Sequence, residues 1–91
     1  MATIEKRKHK ASVLEAISIN NEIILYNDDV NTFDHVIDTL IAVCSHTAEQ
    51  AEQCAILVHY KGKCTVKTGS FDELKPQCSL LLEAGLSAEL V

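Results

Sequence analysis

The chain opens its regular patterning at Ile23-Ile24-Leu25-Tyr26, an apolar run that stops abruptly at Asn27-Asp28-Asp29-Val30-Asn31-Thr32. Ile and Tyr suit a pleated strand, whereas Asn and Asp bond their own backbone and favour turns, so the polarity change predicts a strand ending in an acidic loop. Beyond the loop, Phe33, Val36, Ile37, Leu40, Ile41 and Cys44 recur at helical spacing, with Asn31 or Thr32 as cap and Asp34 in the first turn. Ser45-His46-Thr47 interrupts that period, and Thr47 with Gln50 has capping-box spacing for a second helix through Ala51, Cys54, Ala55 and Val58, closed by Gly62. Cys64, Val66 and Thr68 then alternate as a half-buried strand. Ser70 and Glu73 repeat the capping box before the stripe Leu74, Cys78, Leu81 and Leu82. Pro76 removes a helical hydrogen bond, so the third helix is expected to start near Lys75 or to have a kinked first turn. Gly85 is expected to close it, with Leu86–Val91 as a last strand. The predicted order is β-α-α-β-α-β, an α+β sandwich of three helices over a three-stranded sheet.

Ninety-one residues, 47% of them hydrophobic, suffice for one small core. The expected division is a flexible N-terminal tail over 1–20, carrying the basic run Lys6-Arg7-Lys8-His9-Lys10, and a core domain over 21–91. Thirteen acidic against eight basic residues give a net charge of −5, which argues against a nucleic-acid partner. No run approaches the roughly 18 apolar residues of a membrane span, and the N-terminus lacks the apolar centre of a secretory signal, so no membrane partner and a cytoplasmic location are expected. Cys44, Cys54, Cys64 and Cys78 contain no CxxC pair and read as packed free thiols rather than a zinc site, Cys64 being the least certain. No metal and no cofactor are expected.

The candidate chemistry is polar. Asn27, Asp28 and Asp29 end the first strand, and His59 lies in Val58-His59-Tyr60-Lys61-Gly62 at the close of the second helix. A histidine there can serve only the helix dipole. If helices one and two pack antiparallel, however, their far ends return to one another, and His59 comes beside the acidic loop. Cys54 and His59, about 140° apart around a helix, cannot easily form a nucleophile–base pair, so a cysteine hydrolase is disfavoured and no catalysis is expected.

Leu25-Tyr26-Asn27-Asp28-Asp29, the apolar helix after it and Val58-His59-Tyr60-Lys61-Gly62-Lys63 resemble, in order and spacing, the ClpS family of Clp protease adaptors, over about residues 22–91. The resemblance implies a module that binds the free N-terminal residue of substrate proteins, bulky and hydrophobic (Phe, Tyr, Trp or Leu). It delivers them to the N-terminal domain of a Clp-type AAA+ unfoldase, ClpA or ClpC. It also implies that Asn27, Asp28 and His59 receive the substrate's α-amino group, while Asn31, Phe33, Val36, Ala55, Val58 and Leu86 line a pocket for the first side chain. Phe33 and Ala55 stand where the family commonly has methionine, and Thr32 where proline is usual. The alternative is the C-terminal domain of the ribosomal stalk protein L7/L12, which shares this topology and binds translation factors; Leu82–Val91 is similar to its end. In that reading the acidic loop and His59 have no role.

Overall fold

The computed structural model describes residues 21–91; the tail expected over 1–20 lies outside the described residues. Strand β1 (Asn21–Tyr26) is followed by helices α1 (Phe33–Cys44) and α2 (Ala48–Lys61), strand β2 (Lys63–Gly69), helix α3 (Phe71–Glu83) and strand β3 (Ser87–Leu90). The order matches the sequence expectation. The antiparallel sheet runs β2-β1-β3. Its central strand turns Ile23 and Leu25 into the core, where they meet Leu40, Cys44, Ala51, Val58, Val66, Leu74, Leu81 and Leu86.

Local chemistry starts and stops the helices where the caps predict. Thr32 accepts from the His35 N–H, Thr47 and Gln50 form a reciprocal capping box, and Ser70 accepts from the Glu73 N–H. Gly62, at φ 89°, ends α2 in the left-handed region, where a side chain would be strained. One expectation for α3 needs correction. The helix starts at Phe71 and contains Pro76, instead of beginning near Lys75. The missing Pro76 N–H lies on an exposed face, where water can satisfy the freed carbonyl, and the Ser70 cap with buried Leu74, Cys78 and Leu81 holds the turn. Gly85 closes the helix as expected. Ala84 caps in the right-handed region, and Gly85, at φ 89°, follows it in a Schellman turn whose two bonds run from Gly85 N–H to the Leu82 carbonyl and from Leu86 N–H to the Leu81 carbonyl. Leu86 therefore belongs to the turn, and the last strand begins at Ser87.

Register decides what surrounds the end of β1. Tyr26 pairs with Lys63 on one side and with Ser87 on the other. The strands it pairs with begin just after α2 and α3, so the C-terminal ends of both helices flank the loop that leaves β1. The Asn27 N–H donates to the Gly62 carbonyl at 2.9 Å, fixing the loop against the end of α2.

Candidate functional site

A cavity of about 340 Å³ opens at this junction, lined by Leu25, Tyr26, Asn27, Asp28, Asp29, Asn31, Phe33, Val36, Ala55, Val58, His59 and Leu86. All nine residues expected from the resemblance, Asn27, Asp28, Asn31, Phe33, Val36, Ala55, Val58, His59 and Leu86, are among them. Ala55, Val58 and Leu86 are at most 5% exposed and make an apolar floor, with half-buried Val36 beside them. Phe33 is 42% exposed and forms a rim. The volume is near the lower end of small-ligand pockets, which span about 300–1,000 Å³.

The polar corner has two kinds of group. Asp28 is bound up in the protein: Oδ1 accepts from the N–H groups of Val30 (3.0 Å) and Asn31 (2.9 Å) and from Asn31 Nδ2 (3.0 Å). Oδ2 accepts from Asn31 Nδ2 at 2.9 Å and from the Ser87 hydroxyl at 3.3 Å. A carboxylate has about four lone-pair sites, so these donors nearly saturate it. The Asn31 N–H is the main influence holding the Asp28 carboxyl below its ordinary range; partial burial opposes it, and the Asn31 amide, Val30 N–H and Ser87 hydroxyl add to it. The charge is therefore fixed in place, and its oxygens have little capacity left for a ligand.

His59 and Asn27 differ from it. Both are exposed. His59 meets Tyr60 edge-on with ring centroids 4.9 Å apart, and among the described residues its ring makes none of the backbone contacts that engage His35, with the Ala84 carbonyl, and His46, with the Val66 carbonyl. These two side chains can turn acceptors toward a donor at the cavity mouth. Together with the Asp28 charge they suit a small ammonium group, which needs several acceptors and an opposite charge.

Asn31 does more than line an apolar wall. Its Nδ2 also donates to the Gly85 carbonyl at 2.8 Å, tying the loop after β1 to the Schellman turn that places Leu86. Reasoning from the sequence missed this bridge, the Ser87 contact and the lining by Leu25 and Tyr26. Leu25 and Tyr26 were detectable as the residues leading into Asn27; Ser87, 59 positions from Asp28, had no local signal. Among the described residues no cluster of three or more His, Cys, Asp or Glu side chains could hold a metal ion, and no helix is long and apolar enough to cross a membrane. The Cys54 thiol is pushed up to about 12, first by burial and then by the influence of Cys64, the opposite of an activated nucleophile.

Known proteins resemble this chain in sequence and in fold. A family model described as ATP-dependent Clp protease adaptor protein ClpS matches residues 18–89. The chain is 35% identical over 69 residues to the ATP-dependent Clp protease adapter protein ClpS of Thermosynechococcus vestitus, covering 75% of this chain and 73% of that protein. It is 37% identical over 60 residues to the protein of the same name from Acetivibrio thermocellus, covering 66% of this chain and 61% of the relative. The solved structure of Agrobacterium tumefaciens ClpS2 bound to L-phenylalaninamide shares the fold, with a TM-score of 0.66 and 23% identity over 78% of this chain and 93% of that one. These matches do not favour the ribosomal stalk alternative. The chain belongs to the ClpS family of Clp protease adaptor proteins.

Proposed function

We propose that this chain is a protease adaptor that grips the free N-terminal residue of a substrate protein, its α-ammonium at the Asn27–Asp28–His59 corner and its first side chain in the apolar cavity. The observation that carries the reading is an anchored carboxylate and two exposed polar side chains at the mouth of one cavity with an apolar floor. Asn27 Oδ1 and an imidazole nitrogen of His59 accept directly from the ammonium. Asp28, its oxygens occupied, attracts through its charge. The floor of Val36, Ala55, Val58 and Leu86 receives a bulky hydrophobic side chain, whose full burial is worth about 1.5–3 kcal/mol.

The preferred ligands are N-terminal Phe, Tyr, Trp and Leu. A ClpS2 structure holding phenylalaninamide, a free amine next to an aromatic side chain, supports that choice. The partner is the N-terminal domain of a Clp-type AAA+ unfoldase, ClpA or ClpC, to which residues 21–91 deliver the bound protein in the cytoplasm; membership of an adaptor family supports a role without catalysis. The test is titration with a peptide beginning in Phe, beside its N-acetylated twin. The free peptide is expected to bind and the acetylated one to lose at least about tenfold, since acetylation removes the charge and two donors. Equal binding of the two overturns the reading.

A further inference from the structure

The turn from α3 to β3 is fastened residue by residue to the start of α1 and the loop before it. The His35 ring bonds the Ala84 carbonyl at 2.9 Å, Asn31 Nδ2 donates to the Gly85 carbonyl at 2.8 Å, and the Ser87 hydroxyl donates to Asp28 at 3.3 Å. Between these ties Leu86, 4% exposed, lines the cavity. A carbonyl oxygen only accepts, so His35 carries its hydrogen on Nε2. The Ala84 and Gly85 carbonyls lie past the last turn of α3, where the helix has no N–H left to bond them, and His35 and Asn31 supply the missing donors.

We propose that His35 is a positioning residue for side-chain selection: by holding the Ala84 carbonyl it sets how far Leu86 stands from α1, and so how wide the cavity is. The proposal rests on reading this cavity as the pocket for a first side chain. The residues that follow the bonded ones both line it, Val36 after His35 and Leu86 after Gly85. Bonds between their neighbours therefore fix the separation of these two linings. The sheet does not fix it, because the β3 ladder begins at Ser87, paired with Tyr26, and residues 84–86 precede it. The Schellman bonds do not fix it either, since they hold Gly85 and Leu86 to α3 itself.

Asn31 has a second duty, because its amide also bonds both Asp28 oxygens. His35 has no such duty: its side chain lies outside the cavity lining, and its ring bond goes to Ala84. It is the tie through which the width can change while the charge at the amine corner stays in place. A cavity of about 340 Å³ is small for a ligand pocket, so the largest first side chain, Trp, is the one whose fit the width limits. Close-packed walls take up extra volume only by shifting. With the Ala84 carbonyl released, the turn can back away, which admits an indole more readily and leaves Phe less tightly packed.

The experiment compares the 91-residue wild type with His35→Ala and His35→Gln, by fluorescence anisotropy with peptides beginning in Phe and in Trp, and by the Leu86 methyl chemical shifts without peptide. In His35→Ala the Phe-to-Trp affinity ratio is expected to fall at least about threefold and the Leu86 methyl signals to move. Gln keeps a side-chain N–H for the Ala84 carbonyl and is expected to restore both. A general loss of stability would weaken both peptides in the same proportion, so the ratio separates positioning from folding. His35→Leu, which keeps bulk without the donor, serves instead if the alanine variant loses its circular dichroism signal. An unchanged ratio in the variant without the donor overturns the assignment, as does a Gln variant that behaves like it. If the wild type binds neither peptide, it is the amine-pocket reading that fails, and the Leu86 shifts still decide whether His35 positions that residue: moved by Ala and restored by Gln upholds it, unmoved overturns it.

Discussion

Among the described residues, two hollows of similar size each hold polar side chains, and one of the two has the makings of a recognition site. The first, about 340 Å³, is the corner around Asn27, Asp28 and His59. The second, about 380 Å³, is bounded by Cys44, Ser45, His46, Gln50, Val66, Lys67 and Thr68. Both contain a histidine and a charged residue. In the second, however, Lys67 Nζ donates to the Cys44 carbonyl at 3.1 Å and the His46 ring bonds the Val66 carbonyl at 2.6 Å, so both groups serve the backbone where α1 ends beside β2. In the first, the internal bonds fall on Asp28 and Asn31 and leave Asn27 and His59 exposed above Ala55, Val58 and Leu86. A polar cluster becomes a binding site when it holds one charge rigidly, keeps other acceptors uncommitted and adjoins an apolar floor.

The largest expected effect comes from removing the anchored charge. Asp28→Ala should cost about 2–5 kcal/mol of binding to a free N-terminal peptide, because the ammonium loses its countercharge. Isothermal titration measures it, and thermal unfolding should show the loss of the Val30, Asn31 and Ser87 contacts separately. Full affinity in Asp28→Ala would put the amine elsewhere.

The two histidines offer a direct contrast. His59→Ala is expected to lose about 1.5–3 kcal/mol of peptide binding, the range for hydrogen bonds to a charged group, with little change in melting temperature. His46→Ala should do the reverse, leaving affinity intact and lowering stability by about 1–2 kcal/mol through the freed Val66 carbonyl. Matching profiles for the two variants would erase the distinction drawn between the hollows.

Acid should loosen the first corner through Asp28. Its carboxyl is held below the ordinary value of 3.8, so its contribution to stability is fully present above that value and is lost as pH falls through the lower, folded one. Asn31→Ala removes a donor to both carboxylate oxygens and the tie to Gly85, and should move the Asp28 titration upward. Carboxyl chemical shifts followed by NMR in both proteins test this; an unmoved midpoint would mean that the Asn31 side chain does not help to hold the charge.

The smallest effect concerns the floor. Space above Ala55 and an aromatic rim at Phe33 favour a planar first side chain, since an offset or edge-on ring contact is worth about 0.5–1.5 kcal/mol beyond area burial. Peptides beginning in Phe should therefore bind more tightly than those beginning in Leu, and Ala55→Met should narrow or reverse the gap by filling the space. Fluorescence anisotropy across Phe, Tyr, Trp and Leu decides it, and equal or better Leu binding by the wild type removes Phe33 and Ala55 from the selection.

How much of this was legible follows from distance along the chain. Thr47 with Gln50, the Ser70 cap and the Gly62 stop act over three or four residues, so the elements and their order could be read from the sequence alone. The strand that ends at Asn27 and the helix that ends near His59 were equally plain, and antiparallel packing of α1 and α2 was enough to bring those residues into one corner. Whether the groups would be occupied or open was not written locally. Pro76 lies inside α3 because burial on the other helix face outweighs one lost hydrogen bond, a balance that propensity does not contain. Asn31 reaches Gly85 across 54 positions and Ser87 reaches Asp28 across 59, contacts that exist only after β3 has paired beside β1. The residue types of the corner were thus determined by the sequence, whereas long-range strand pairing decided that Asp28 is a fixed charge and that Asn27 and His59 stay open to a ligand.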